Sequence, residues 1–499
     1  MGPSEGWQSP VDCSCLESSR PRKGPGGSNP SPSANQNMTS ASFADAERSP
    51  FWLTQPGAPE PGPPLDSDEH ADLLVIGGGL TGLWAALLAR EQGREVVLLE
   101  GERIAFGASG RNGGFVDASL THGIENGVAR WPDEMPQLER LGRENFAAIK
   151  EAIARHGIDA RFEETGELAF AAARYQAEYI AEVVETARAY GWDARALDTE
   201  QARAEVRSPT YHGAAFLADG RGLVDPARLA WGLADAARGA GARVYEGSPV
   251  TRLTGAGDGV VATTAAGRSV SARRAVLATS SFPPLVRAIS RYVVPVYDYV
   301  LVTEPLTRDQ RESLGWANRQ GLTDMGNQFH YYRLIGDDRV LFGGYDAIYN
   351  FRNGMGPHLD DRQASFELLA DHFFATFPQL EGVRFSHAWG GAIDTCSRFS
   401  VMFGRALGGR AVFAVGYTGL GVAASRFGAQ VALDLADGRE TERTRLRMVQ
   451  TKPVPFPPEP LRWAGITLTR RALARADRRE GRRGPWLRLL DRLGMGFDS

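Results

Sequence analysis

Gly77, Gly79 and Gly82 stand in the spacing G-x-G-x-x-G, and Glu100 follows Gly82 by 18 residues. This set suits a dinucleotide. The first glycine permits a tight turn, the second lets the backbone approach a pyrophosphate, and the third lets a helix pack closely on a strand. Leu80 and Thr81 fall at the start of that helix, where unpaired N–H groups and the positive end of the dipole favour phosphate. A carboxylate about 20 residues beyond the glycines accepts from ribose hydroxyls, which selects NAD or FAD over NADP.

The elements that must position these residues are legible on either side. Residues 71–76 (Ala-Asp-Leu-Leu-Val-Ile) read as a strand buried on both faces. Leu83, Trp84, Ala86, Leu87 and Leu88 recur at helical spacing, and Val96 to Leu99 form a second apolar run ending on Glu100. Together they predict a βαβ unit.

Downstream lies Gly107-Ala108-Ser109-Gly110-Arg111-Asn112-Gly113-Gly114. With this segment the chain resembles the D-amino-acid oxidase family of FAD-dependent amine and amino-acid oxidoreductases, and most nearly its gamma-glutamylputrescine oxidase branch. The resemblance implies FAD rather than NAD, with Ser109, Gly110, Arg111, Asn112, Gly113 and Gly114 along the pyrophosphate and ribityl chain. It also implies that Val250 meets the adenine through its backbone, and that Ala278 and Thr279 end a cofactor-side strand. Ser280 stands where the family has glycine. A second strand–glycine turn–helix follows at 411–428, with Thr418, Gly419, Leu420 and Gly421 at the turn. A helix start there would stabilise negative charge on the flavin pyrimidine. Leu420 replaces the family's histidine. Gly391 occupies the position of the cysteine through which some relatives tether FAD, and Cys396 lies five residues later, so non-covalent FAD is expected.

The resemblance further implies hydride removal from the carbon beside an amine, giving an imine that hydrolyses. The partners are then a small amine or amino acid and dioxygen or another electron acceptor. The alternatives are a flavin dehydrogenase of a hydroxyl substrate and a non-catalytic flavin-binding module. No side chain is assigned a catalytic role. Some oxidase relatives place a lysine near the flavin, but the three lysines here (Lys23, Lys150, Lys452) fall in a tail, a surface-type helix and beyond the last motif.

Residues 286–384 are patterned as antiparallel strands, at 293–302, 328–335 and 339–343, and form a roof over the cofactor. His330, Tyr332 and Arg333 are the expected substrate contacts. His330 and Tyr332 share one face of their strand and Arg333 the other. The fold class expected is α/β: a Rossmann-like FAD-binding domain (69–130, 218–285 and 386–440) with a second α+β substrate domain (131–217 and 286–385) built on a mixed, largely antiparallel sheet.

The 499 residues suffice for two or three cores. Net charge −4 carries no nucleic-acid footprint, and no apolar run approaches the roughly 18 residues of a membrane span. The beginning lacks the apolar core of a secretory signal, so a cytoplasmic location is expected. Residues 1–68 hold 12 of the 29 prolines and are expected to be disordered, with Met38 an alternative start and Phe51-Trp52-Leu53 able to dock. Cys13 and Cys15 are too few to hold a metal. Residues 441–499 read as a proline-rich linker and a basic helix packed through Trp463, Ile466 and Leu473, with association to a membrane surface as the alternative.

Overall fold

The computed structural model describes residues 39–493 and Met495. Two large sheets face one another across a long cavity. The first is built on the strand Glu69–Ile76, whose Leu73, Leu74 and Val75 are fully buried because helices cover one face and the hairpin region the other. It pairs in parallel with Val96–Leu99 on one side and Ser269–Leu277 on the other. Arg243–Tyr245 and Ala411–Val415 extend the parallel sheet, and Met402–Ala406 closes one edge antiparallel. The order reverses at Glu69–Ile76, so the crevice beyond its C-terminal end is the place where α/β sheets bind ligands. Helix Leu80–Glu91 packs against helix Gly421–Ala436, which brings the starts of both glycine-turn helices together.

The second sheet is mixed and mostly antiparallel. Its spine is Val294–Thr303 paired with Phe385–Thr395, continued by Arg339–Gly344, His330–Ile335 and Gly321–Asp324. Glu167–Phe170 joins in parallel, followed by Ala214–Leu217 and Ala194–Leu197. An aromatic core of Phe366, Phe373, Phe377, Tyr332 and Trp316 fills the side away from the cavity.

The structure corrects three expectations. Phe385–Thr395, assigned above to the first unit, belongs to the roof, because its backbone groups are taken by Val294–Thr303 over the whole length of that strand. Residues 39–68 are folded onto the body rather than disordered: Phe43, Trp52 and Leu65 are buried in three different clusters. These few apolar side chains outweigh the surrounding proline and serine. Residues 1–38, with Met38, Cys13, Cys15 and Lys23, lie outside the described residues. In the C-terminal helix Leu461–Asp477, Ile466 packs on Val294, Val296 and Tyr349, and Leu473 on Leu487, whereas Trp463 is 42% exposed. Among the described residues no helix is long and apolar enough to cross a membrane.

Candidate active site

The first glycine turn is held together by steric necessity. A Cβ at Gly82 would lie 1.9 Å from the Gly77 carbonyl oxygen, and Gly77 itself has φ +114°. Leu80, Thr81 and Gly82 open the helix, where main-chain amides have no intrahelical acceptor. The Leu80 amide donates to Ser109 Oγ at 2.9 Å, tying the 107–114 loop to the helix start. Glu100 points into the turn: its Oε2 accepts from the Gly78 amide at 2.5 Å and its Oε1 from Glu102 at 2.9 Å. Burial pushes its carboxyl above the usual range against the pull of these amides.

The loop is pinned from outside. Trp52 Nε1 donates to the Asn112 carbonyl (2.8 Å) and Trp389 Nε1 to the Arg111 carbonyl (3.0 Å). Asn112 folds back on the loop, donating to the carbonyls of Ala108 and Ser109 and accepting from the Gly114 amide. Arg111 bridges to the roof through Asp360 (2.6 Å) and the Gly390 carbonyl (2.9 Å).

The second turn adopts left-handed backbone at Gly416, Thr418 and Gly419 (φ +83°, +53° and +96°). Asp394 holds it by accepting from the Gly416 amide at 2.7 Å, and burial raises this carboxyl to about 7. Thr81 Oγ1 donates to Tyr417 Oη at 2.9 Å, a direct link between the two turns. Ser280, where the family has glycine, sits at φ +50°, a conformation that glycine adopts without strain.

One cavity of about 1810 Å³ runs past all of these parts. Its wall takes in Glu100 and Val250 at one end, Gly77, Gly79, Leu80, Thr81, Ser109, Arg111, Asn112 and Gly113 along its length, and Thr418 to Gly421 farther on, with Ala278, Thr279 and Ser280 beside the first turn. Gly82, Gly110 and Gly114 stand behind the wall. A Cβ at Gly110 would meet the Ala105 carbonyl at 2.4 Å, and one at Gly114 the Val224 carbonyl at 2.2 Å. The wall fits a dinucleotide: a carboxylate at the ribose end, helix-start amides in the middle, a second helix start beyond.

The expected substrate contacts are not on this wall. Tyr332 is buried in the aromatic core with its hydroxyl on Tyr211 Oη (2.8 Å). His330 is held between Asp324 (2.6 Å) and His372 (2.9 Å). Arg333, 3% exposed, donates to the carbonyls of Val224 (2.7 Å), Gly114 (3.3 Å) and Gly113 (3.4 Å), so it braces the loop from behind. The strand turns Phe329 and Tyr331 to the cavity instead. Alternation along one strand cannot tell which face meets the core; only packing decides.

Sequence reading missed two features. Asp298, with Val294, Val296 and Val300, faces the cavity; a lone carboxylate in an otherwise apolar strand was the available signal. The C-terminal segment also lines the cavity, through Phe456, Ile466, Arg470 and Trp486 among others. It is fastened to the roof by Arg470 on Asp346 (3.0 Å) and by Asp477, which accepts from the amides of Asn327 and Gln328 (3.1 Å each). Gly391 leaves no thiol at the tethering position, and the buried Cys396 thiol donates to the Ser400 carbonyl. Among the described residues no lysine lines the cavity.

The family model described as FAD dependent oxidoreductase matches residues 72–435. Gamma-glutamylputrescine oxidoreductase of Escherichia coli is 34% identical over 381 residues, covering 75% of this chain and 85% of that protein. An oxidoreductase named OrdL of Haemophilus influenzae is 30% identical, covering 72% of this chain and 81% of its own. Among solved structures, glycine oxidase from Geobacillus kaustophilus superposes with a TM-score of 0.63 at 20% identity, over 77% of this chain and all of that one, a likeness of fold. With the family match spanning both glycine turns, the loop between them and the roof, this chain belongs to the FAD-dependent oxidoreductases of the D-amino-acid oxidase family.

Proposed function

We propose that this protein oxidises the C–N bond of a small amine or amino acid, with FAD bound non-covalently along the cavity. The observation that carries the reading is the convergence of Glu100, both glycine turns and the roof on one cavity, on whose wall carboxylates outnumber guanidinium groups. Such a wall favours a cationic substrate over a phosphorylated hydroxyl compound. The name of the gamma-glutamylputrescine relative points the same way.

FAD, when bound, supplies the two-electron acceptor next to the substrate carbon. The protein's own residues do the rest. Glu100 and Val250 would receive the ribose and adenine, and the amides at 79–81 the pyrophosphate. The 109–114 loop would carry the ribityl chain, and the turn at 418–421 the pyrimidine edge. The parallel-sheet unit thus holds the cofactor. The roof, with Tyr331 and Asp298, and the C-terminal helices enclose the substrate and exclude water.

Anaerobic bleaching of the purified flavoprotein against polyamines, gamma-glutamyl amines, N-methyl amino acids and D-amino acids tests the reading. Reduction by at least one amine is expected, and reduction by hydroxy acids or alcohols alone would overturn it. Acid precipitation should release the flavin to the supernatant. The oxidase form of the reaction, with dioxygen as acceptor, requires stoichiometric peroxide in aerobic turnover.

A further inference from the structure

We propose that Asp298, steadied by Tyr331, is the residue that grips the substrate's cationic nitrogen and takes its proton before hydride leaves the neighbouring carbon, which makes the chamber selective for substrates that arrive as protonated amines. This deepens the function proposed above and rests on it.

The argument is one of elimination along the cavity wall. Asp324 is paired with His330 and Asp346 with Arg470. Asp117 and Glu167 flank Arg221 at 2.9 and 3.9 Å. Glu100 and Asp394 are engaged by main-chain amides of the two turns. Glu102, Glu125 and Glu182 are exposed at the rim. Asp298 is different. It lies in the middle of the strand Val294–Thr303 and faces the cavity, and among the described residues it has no cationic partner within ion-pair distance. Its Oδ2 accepts from Tyr331 Oη at 2.7 Å and its Oδ1 from the Tyr299 amide at 2.7 Å.

Tyr331 is fixed in turn. A Cβ at either Gly113 or Gly343 would come within 2.7 Å of its side chain, so the ring is clasped between the cofactor-side loop and the neighbouring roof strand. The pair therefore stands beside the loop proposed to carry the ribityl chain. A buried carboxylate without a counter-charge is costly unless a cation arrives to pair with it. Burial pushes the Asp298 carboxyl up to about 6, while the Tyr331 hydroxyl, the amides of Tyr299 and Gly344 and the charge of His330 pull the other way. Across the paired strand the position opposite is Gly391, whose open side is filled by Arg111, itself neutralised by Asp360. The groups facing Asp298 from neighbouring elements thus leave it as an anion above pH 6 and neutral below.

The test uses the FAD-loaded protein and n-butylguanidinium, a cation with N–H donors whose α-carbon is a poor hydride source. Binding is read by calorimetry and by perturbation of the flavin visible spectrum between pH 5 and 8. Wild-type affinity is expected to fall about tenfold as pH drops from 7 to 5. Asp298→Asn should weaken binding by about 10- to 100-fold at pH 8, the value of a charge-assisted bond, and abolish the pH dependence. Tyr331→Phe removes a donor that lowers the carboxyl's affinity for protons, so its midpoint should move to higher pH, which a purely structural role would not do. FAD affinity and the resting spectrum should be unchanged in both variants. Wild-type-like cation binding by Asp298→Asn overturns the proposal. So does loss or spectral shift of FAD with cation binding intact, which would turn the carboxylate toward the cofactor. Failure of every amine to reduce the wild-type flavin would instead strike the function proposed above, so the two failures are distinguishable.

Discussion

Arg333 separates the two accounts of the roof most sharply. Read along the strand, it is a substrate contact; in the fold, it is a brace whose guanidinium is buried and donates to three carbonyls on the 113–114 loop and at Val224. Among the described residues no carboxylate lies within ion-pair distance, and burial pulls its affinity for protons down to about 10. Replacing it by methionine keeps the volume and removes the donors. The 2.7 Å bond to Val224 dominates, since the others are 3.3 and 3.4 Å. A charge-assisted bond is worth about 1.5–3 kcal/mol, and relief from burying an unpaired cation offsets part of the loss. A net cost of about 2 kcal/mol follows, with the Val224 carbonyl left without its short donor. The Gly114 carbonyl still accepts from the Val224 amide at 2.8 Å, so the loop should loosen rather than unfold. Arg333→Met should lower the thermal midpoint by several degrees and weaken FAD binding by about tenfold to thirtyfold, with KM for the amine little changed. Arg333→Lys, a single point donor, should recover only part of both. Unaltered melting and FAD affinity, together with a large rise in KM, would refute the reasoning and restore Arg333 as a substrate contact.

Gly82→Ala forces a methyl to 1.9 Å from a carbonyl that cannot move independently of the turn; the expected cost is about 1–3 kcal/mol, and the protein should purify without flavin, as checked by its visible spectrum. Asp394 is raised by burial from 3.8 to about 7, so the folded state holds its proton more tightly than the unfolded one, and its contribution to stability falls as pH rises through that window. The thermal midpoint of wild type minus that of Asp394→Asn should therefore decline between pH 4 and 7, and a flat difference would refute the assignment. A chain ending after Pro457 loses the helices that carry the contacts to Asp346, Asn327 and Gln328. It should keep FAD while quenching of flavin fluorescence by iodide rises several-fold; unchanged quenching would mean that the C-terminal segment does not cover the cofactor.

The cofactor half of this molecule was readable from the chain because its requirements are local. A glycine whose Cβ would strike a carbonyl, a helix start within three residues of a strand end, and a carboxylate at the next strand end are short-range constraints written in consecutive residues. That is why the strand at 411–415 and the helix that starts at Gly421 stand where their sequence places them. Which face of a roof strand meets the cavity is a different kind of fact. His330 and Tyr332 alternate with Phe329, Tyr331 and Arg333 whichever way the sheet is turned, and only the aromatic core gathered from Trp316, Phe366 and Phe377 settles that Tyr332 goes inward. The fate of Phe385–Thr395 was likewise decided by a partner strand some ninety residues earlier in the chain, and that of the arginine-rich end by contacts with Asp346 and the 327–328 amides, more than a hundred residues away. Sequence alone determined the two glycine turns, since their physics is nearest-neighbour sterics and hydrogen bonding. Only the tertiary structure decided the roof side of the cavity, because burial and charge pairing depend on which distant segments come to lie against one another.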